Sequence, residues 1–186
     1  MVGSPGETVH VLNSIADYVD TTAICLQVSA SDWRDVVALL SCRLLASGNV
    51  KPAFVQSVIL GEQAKPTGMR LRRGLCVALP RTDPTQVIRP CLAVATLARP
   101  VLFGGIRDPG AMVPVQLVML AASISRDGHL RALSRIAGMF QGHRTIEELV
   151  RASSVAYVAA TIWNSRDVHM AEPTTGQLAD DLGFMQ

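Results

Sequence analysis

The chain has 186 residues, a formal net charge of +2, 49% hydrophobic residues and 17% charged residues. This balance excludes a disordered chain and indicates one folded domain with a sizeable core. No apolar run reaches the roughly 18 residues of a membrane-spanning helix, and the first ten residues lack the basic and apolar blocks of a secretory signal, so we expect a cytoplasmic protein without direct membrane insertion.

The first predicted elements are a strand and two helices. Residues 23–28 form a short apolar run rich in β-forming residues, which predicts a strand. Ser31 is placed to cap a helix whose apolar side chains recur at helical spacing up to about residue 45. A second helix is predicted from Pro52, which suits a first turn, to the residue before Gly61.

Three continuous apolar runs and three further helices follow. The apolar runs cover residues 75–79, 91–97 and 113–121. Runs without alternation are typical of strands that are buried on both faces. Asp127 is placed to cap the next helix, the capping box from Thr145 to Glu148 predicts another, and residues 155–163 form the last.

This order of elements predicts a three-layer α/β fold. A mixed, mostly buried β-sheet is expected between helices on both faces. We assign residues 1–164 to a single domain and residues 165–186 to a polar C-terminal tail. The four cysteines show no metal-ligand spacing, so we expect buried free thiols, no metal site and no cofactor.

Positive charge is concentrated in the middle of the chain. From Lys65 to Arg99 there are seven cations and one anion, Asp83. The segment can therefore attract an anion such as a phosphate or a sugar phosphate. It contains no aromatic residue on which an unpaired base could stack, so no nucleic-acid partner is expected.

Two stretches are candidates for a functional site. One is the loop from Glu62 to Gly68, and the other is the end of a buried strand, residues 79–83. The carboxyl ends of strands in open α/β sheets border ligand crevices. The common fingerprints of nucleotide-binding loops, serine hydrolases and zinc proteases are absent from the sequence.

These two stretches carry a resemblance to a known family. The motifs G-E-x-x-x-P-T-G-M, G-L-C-V-A-L-P-R-T-D, V-I-R-P-C-L-A-V-A-T-L-A-R-P-V-L-F and V-P-V-Q-L-V-M-L-A resemble the enzyme IIA domain of the fructose/mannitol type in the bacterial sugar phosphotransferase system, nearest its galactitol-specific branch. The likeness runs from about Ala23 to Ile162. It implies a mixed sheet between helices, a transferase role in sugar uptake, and two partners, the phosphocarrier protein and a sugar-specific IIB protein.

The sequence departs from the family at two positions. The family's loop reads R-E-x-x-x-P-T-G and its strand ends I-P-H-T-D, where the histidine accepts the phosphoryl group. Gly61 and Arg81 stand at the places of that arginine and that histidine. A guanidinium has no free electron pair with which to attack phosphorus, but it can hold a phosphate through two hydrogen bonds. We therefore predict that phosphoryl acceptance at the usual position is lost and that the binding residues are Arg81, Thr67, Gly68, Glu62 and Thr82.

A second histidine keeps a catalytic function open. Some family members have one at the start of the helix after the third central strand, and His129 occupies that place. One hypothesis is a binding or regulatory module with a degenerate active site, which senses phosphate, a sugar phosphate or a partner protein. The alternative is an active IIA phosphoryl carrier in which His129 is the catalytic residue that relays phosphate to the IIB partner. Whether the chain is an enzyme is open at this point.

Structural interpretations of the same residues also stay open. Arg81 would then be a surface residue paired with Asp83. The Pro-Thr-Gly sequence would be a tight turn in which Gly68 supplies a backbone angle that other residues resist. The arginines at positions 70, 72 and 73 would belong to a solvated loop.

Overall fold

A computed structural model describes residues 18–81, 83–141 and 143–165, with the side chains of residues 126–131, 133, 141 and 143 excepted. The strands in this part of the chain are β1 (Val19–Val28), β2 (Gly68–Arg70), β3 (Cys76–Ala78), β4 (Cys91–Gly104) and β5 (Met112–Ala122). The helices are α1 (Trp33–Ala46), α2 (Phe54–Ala64), α3 (Arg126–Gln141), α4 (His143–Val150) and α5 (Val155–Asn164). Short 3₁₀ turns lie at Arg72–Gly74 and Pro84–Gln86.

The strands form one mixed sheet in the order β1-β4-β5-β3-β2. β1 is parallel to β4, and β3 is parallel to β5, whereas β4 and β5 form a long antiparallel hairpin. β2 pairs with β3 in the antiparallel direction and closes one edge of the sheet. The predicted mixed sheet is confirmed, and the three predicted apolar runs are its three central strands.

Helices cover both faces of this sheet, as predicted. The buried residues of α1 and α2, such as Leu40 and Phe54, pack in one core cluster with alternate residues of β4 such as Ala93. The buried residues of the other helices, such as Ile136, pack in a second cluster with the intervening residues such as Val94. Because successive strand residues point to opposite faces, the unbroken apolar runs supply both cores.

Several element boundaries differ from those predicted. The cap of α1 is Asp32 rather than Ser31, because Asp32 and Asp35 form a reciprocal capping box. α4 already begins at His143, so the predicted capping box at Thr145 lies inside the helix. Ser154 caps α5, with its Oγ accepting a hydrogen bond from the Tyr157 backbone at 3.1 Å.

Two elements extend further than their apolar patterns. β4 continues past Pro100 to Gly104, with a shift of register between Thr96 and Val101 that accommodates the proline. α2 continues through Gly61 to Ala64, where the predicted helix ended before Gly61. The segment expected to be a loop from residue 62 therefore begins as helix. No helix within the described residues has the length and apolarity needed to cross a membrane.

Candidate functional site

The edge of the sheet at which β3 and β5 end carries the residues that the sequence singles out. β3 and β5 lie side by side in the same direction, with Ala78 opposite Val118. The end of β5 also lies beside the start of β4, because Ala122 pairs with Cys91. The residues that follow β3 and β5 therefore share one edge of the sheet, the kind of place where α/β proteins bind ligands.

Arg81 comes three residues after the end of β3 and is partly buried. Burial lowers the pKa of its guanidinium, and the negative charge of Glu62 opposes that shift. A guanidinium stays protonated near neutral pH even when its pKa is lowered. Arg81 thus places a permanent positive charge just after the end of a central strand. Thr82, the next predicted binding residue, lies outside the described residues.

Glu62 and Thr67 are bonded to each other inside the protein. Glu62 lies in the last turn of α2 and is 3% exposed, and Thr67 is 1% exposed. The Thr67 backbone N donates a hydrogen bond to Glu62 Oε1 at 2.8 Å, and Thr67 Oγ1 donates one to Glu62 Oε2, also at 2.8 Å. The Leu79 backbone N donates to Thr67 Oγ1 at 3.1 Å. This chain of bonds ties α2 to the strand end two residues before Arg81.

The environment of Glu62 changes its proton affinity. Burial raises its pKa to about 7, while the hydrogen bonds from Thr67 and the charge of Arg81 oppose the rise. The carboxyl group therefore changes its charge near neutral pH, unlike an exposed glutamate. Direct contact of Glu62 or Thr67 with a ligand stays a prediction.

Two glycines of the site make room for neighbouring backbone. A Cβ added at Gly61 would lie 3.0 Å from the carbonyl oxygen of Arg81. A Cβ added at Gly68 would lie 2.7 Å from the carbonyl oxygen of Gly104. Gly68 has no positive φ, so the expected special backbone angle is wrong, and close packing against the β4–β5 hairpin is the reason for a glycine there.

A buried serine that the sequence analysis did not single out follows β5. Ser123 is 4% exposed, and its Oγ has no hydrogen-bond partner among the described residues. Helix α3 begins at Arg126, so its first turn lies at the same sheet edge as Arg81. His129 is the fourth residue of α3, and its side chain lies outside the described residues. A lone serine after a strand has no spacing signal by which sequence could reveal it.

Apolar side chains lie exposed around this edge. Leu60 directly precedes Gly61, Ile124 follows Ser123, and Ile88 precedes the start of β4, and each is more than half exposed. Exposed apolar side chains that share one end of a molecule are typical of a protein-binding surface. We call these three residues the apolar rim.

Arg70, at the end of β2, and Arg73, shortly after it, have partners within the chain. Arg70 Nη2 donates a hydrogen bond to the backbone oxygen of Met112 at 3.1 Å. Arg73 Nη1 lies 3.9 Å from Oε1 of Glu147 on α4. Asp83, after Arg81, accepts a hydrogen bond from the Thr85 backbone at 2.8 Å and caps the 3₁₀ turn. Arg70 thus links β2 to β5, Arg73 lies beside α4, and Asp83 caps the turn that follows Arg81.

A cleft of about 460 Å³ lies elsewhere, between α4 and α5. Its lining carries both signs of charge and consists of Arg144, Glu147, Glu148, Arg151, Ala152, Ser153 and Tyr157. The described residues contain no group of three or more His, Cys, Asp or Glu placed to hold a metal ion. Three of the four cysteines are buried, and Cys42 is exposed, in contrast to the expectation for that residue.

Sequence comparison identifies related proteins over most of the chain. A profile of the family described as "Phosphoenolpyruvate-dependent sugar phosphotransferase system, EIIA 2" matches residues 17–165. The chain is 23% identical to the mannitol-specific cryptic phosphotransferase enzyme IIA component of Escherichia coli K12. The 149 aligned residues cover 80% of this chain and 97% of that protein.

Solved structures share the fold. The solution structure of the mannitol-specific cryptic phosphotransferase enzyme IIA CmtB from Escherichia coli superposes with a TM-score of 0.67 at 21% identity, over 81% of this chain and 98% of that one. Enzyme IIAMTL of Escherichia coli, in its complex with phosphorylated enzyme IIBMTL, superposes with a TM-score of 0.64 at 20% identity, over 77% and 95%. At these identities the structural likeness establishes the architecture.

Proposed function

The chain belongs to the EIIA 2 family of the phosphoenolpyruvate-dependent sugar phosphotransferase system, and from this premise we propose that it is an enzyme IIA-like module that binds phosphorylated groups at Arg81 without accepting the phosphoryl group. In this proposal Arg81 stands at the acceptor position of the family, and Gly61 stands at the neighbouring arginine position. The protein would act by binding within the sugar-uptake system, in the manner of a regulatory component.

The proposal rests on one observation, that an arginine, Arg81, follows the end of β3. Phosphoryl acceptance needs a nucleophile with a free electron pair, which a guanidinium lacks. The same guanidinium is well suited to hold the oxygens of a phosphate through paired hydrogen bonds. Replacing the acceptor by Arg81 therefore removes the chemical step and keeps an attraction for the phosphorylated group.

Two neighbouring features favour anion binding at the same edge. Helix α3 begins there, and the free N–H groups of a helix start favour negative charge. The Ser123 hydroxyl is buried there without a partner among the described residues, so it has a hydrogen bond to offer. In this proposal a phosphate or a sugar phosphate binds at Arg81, and Ser123 and the start of α3 lie at the same end of the sheet.

The apolar rim supports a protein as the carrier of that phosphate. Leu60, Ile88 and Ile124 place exposed apolar surface around the positive charge of Arg81. Such a surface fits a partner that has a phosphoryl group surrounded by apolar residues. We assign this occupant to a phosphorylated IIB-type protein, the class with which enzyme IIAMTL forms its complex. The sequence motifs are nearest the galactitol-specific branch, so a galactitol-type IIB protein is the first to test, and the phosphocarrier protein is the second partner.

One observation favours the alternative of an active carrier. His129 lies in the first turns of the helix that follows β5, and β5 is the parallel neighbour of the strand that leads to Arg81. The imidazole would accept the phosphoryl group from the phosphocarrier protein and pass it to a IIB partner. In that case Arg81 would hold the transferred group in place.

The test is a phosphorylation assay read by intact mass. The purified chain is incubated with phosphoenolpyruvate, enzyme I and the phosphocarrier protein, beside the Arg81→His and His129→Ala variants. We expect the wild type to gain no phosphoryl group and Arg81→His to gain one. If the wild type gains a phosphoryl group that His129→Ala does not, the binding-module proposal is wrong and the relay through His129 is correct.

The same assay tests the apolar rim. In the Arg81→His background, Leu60→Glu places a charge in the rim, and we expect phosphoryl gain to slow at least tenfold. Leu102→Glu is the matched control, because Leu102 is also about half exposed but lies near the far end of β4. Equal rates for the two variants would exclude the apolar rim as the docking surface for the phosphocarrier protein.

A further inference from the structure

We propose that Glu62 takes up a proton when an anion binds at Arg81, so that anion binding at this site is coupled to proton uptake. The inference rests on the proposed function, because it concerns the anion site at Arg81. It adds a regulatory property to that site, a dependence of affinity on pH, and it assigns the property to a single buried carboxyl group.

The geometry isolates Glu62 from water. Both carboxylate oxygens accept hydrogen bonds from Thr67 at 2.8 Å, and the residue is almost fully buried in the last turn of α2. Thr67 is uncharged, and Arg81 is the one charged side chain among the described residues that acts on the carboxylate. The Thr67 hydrogen bonds favour the ionised form of Glu62 most, and the positive charge of Arg81 adds to their effect.

An anion bound at Arg81 offsets the contribution that Arg81 makes to the ionised form of Glu62. The guanidinium then faces a second negative charge, and Glu62 and the anion repel each other in a medium that screens charge poorly. Protonation of Glu62 by a proton from solvent removes this repulsion, because the carboxyl group then carries no charge. The pKa of Glu62 already lies at about 7, so only a modest further rise is needed.

The size of the effect follows from linkage. If anion binding strengthens proton binding at Glu62 tenfold, about half a proton is taken up per anion at pH 7.5. By the same linkage the anion binds up to about tenfold more tightly below pH 6 than above pH 9. Anion affinity therefore falls as pH rises through the neutral range.

Sulfate is the probe, because it is a dianion whose own charge stays constant between pH 6 and pH 9. Sulfate is titrated into the full chain by calorimetry at low salt and pH 7.5, in buffers with different enthalpies of ionisation. The slope of the observed heat against the buffer enthalpy counts the protons taken up. We expect about half a proton for the wild type, none for Glu62→Gln, and sulfate binding retained in Glu62→Gln.

Two control variants test whether Glu62 is the group that takes up the proton. Glu148→Gln removes an exposed carboxylate on α4 and should leave the proton count unchanged. His129→Asn removes the imidazole of the fourth residue of α3, and it should also leave the count unchanged. Circular dichroism checks that each variant keeps the wild-type fold.

The outcomes separate this inference from the proposed function. Sulfate binding without proton uptake, or uptake that persists in Glu62→Gln or disappears in His129→Asn, would overturn the proton coupling and leave the anion site standing. If the wild type, Glu62→Gln and Arg81→Ala all fail to bind sulfate, there is no anion site at Arg81. In that case both the proposed function and the proton coupling are wrong.

Discussion

At the scale of single residues, Thr67 is the centre of the site's internal bonding. Its hydroxyl donates to Glu62 and accepts from the Leu79 backbone, so one oxygen links the end of α2 to the end of β3. Because these groups are buried, a lost partner leaves them without water to replace it. The position of Arg81, two residues after Leu79, depends on this link.

Thr67→Val keeps the shape of the side chain and removes the hydroxyl. We expect it to lower the free energy of unfolding by about 2 kcal/mol, because a carboxylate oxygen of Glu62 and the N–H of Leu79 both lose their partner. Thr67→Ser keeps the hydroxyl and should cost clearly less. The free energies are measured by urea unfolding at pH 7. Equal losses for the two variants would show that packing of the methyl group, and not the hydroxyl, explains the threonine.

The residues of this site could be predicted only in part. The motif resemblance singles out Glu62, Thr67 and Arg81, but it does not reveal that the first two bond to each other. That bond requires α2 to continue past Gly61, and a glycine after an apolar run is normally interpreted as the end of a helix. Ser123 could not be found, because its significance is a missing hydrogen-bond partner, which is a property of the folded structure.

At the scale of elements, the three central strands were easier to predict than the helix ends, whereas β2 lies where the sequence predicted a loop. Continuous apolar runs identify β3, β4 and β5 because burial on both faces excludes polar residues from those positions. The end of α2 depends on a contact with a distant strand end, where the backbone of Arg81 lies against Gly61. Local sequence carries no information about such a contact.

The contact at Gly61 predicts a difference between two helical glycines. Gly138 lies inside α3, and a Cβ added there meets nothing within 4 Å, so Gly138→Ala should stabilise the protein by about 1 kcal/mol through helix propensity. In Gly61→Ala the new methyl group would lie 3.0 Å from the carbonyl oxygen of Arg81, so this gain should be largely lost. Urea unfolding of both variants measures the difference. A Gly61→Ala variant as stabilised as Gly138→Ala would mean that the strand end yields freely.

At the scale of the whole molecule, the middle of the sheet and the end that carries Arg81 have different surroundings. The middle of the sheet is buried between two apolar cores, which supply most of the stability. The edge with Arg81 instead combines a buried acid, a partly buried cation and the exposed apolar rim. Because the buried acid is bonded to the end of a central strand, we expect its protonation to affect the stability of the whole molecule.

The buried acid predicts how global stability depends on pH. The folded-state pKa of Glu62, about 7, lies above its ordinary value of 4.5 because burial disfavours the charged form. The folded state therefore binds this proton more tightly than the unfolded state does. The resulting stabilisation is fully present below about pH 4.5 and is lost as the pH rises through about 7, with a total of about 3 kcal/mol.

Urea unfolding between pH 5 and pH 8 measures this dependence, and Glu62→Gln should flatten it because the amide stays uncharged. Asp20 is a second partly buried acid. Burial raises its pKa, but hydrogen bonds from Ser47, Thr22 and Asn49 outweigh burial and lower it. The contribution of Asp20 to the free energy of unfolding therefore changes below about pH 4, outside this window. Glu148→Gln, in which the lost carboxylate is exposed, should keep the wild-type dependence. If Glu62→Gln loses stability with rising pH as steeply as the wild type, the buried acid is not the group that titrates, and the proton coupling proposed for the anion site loses its physical basis.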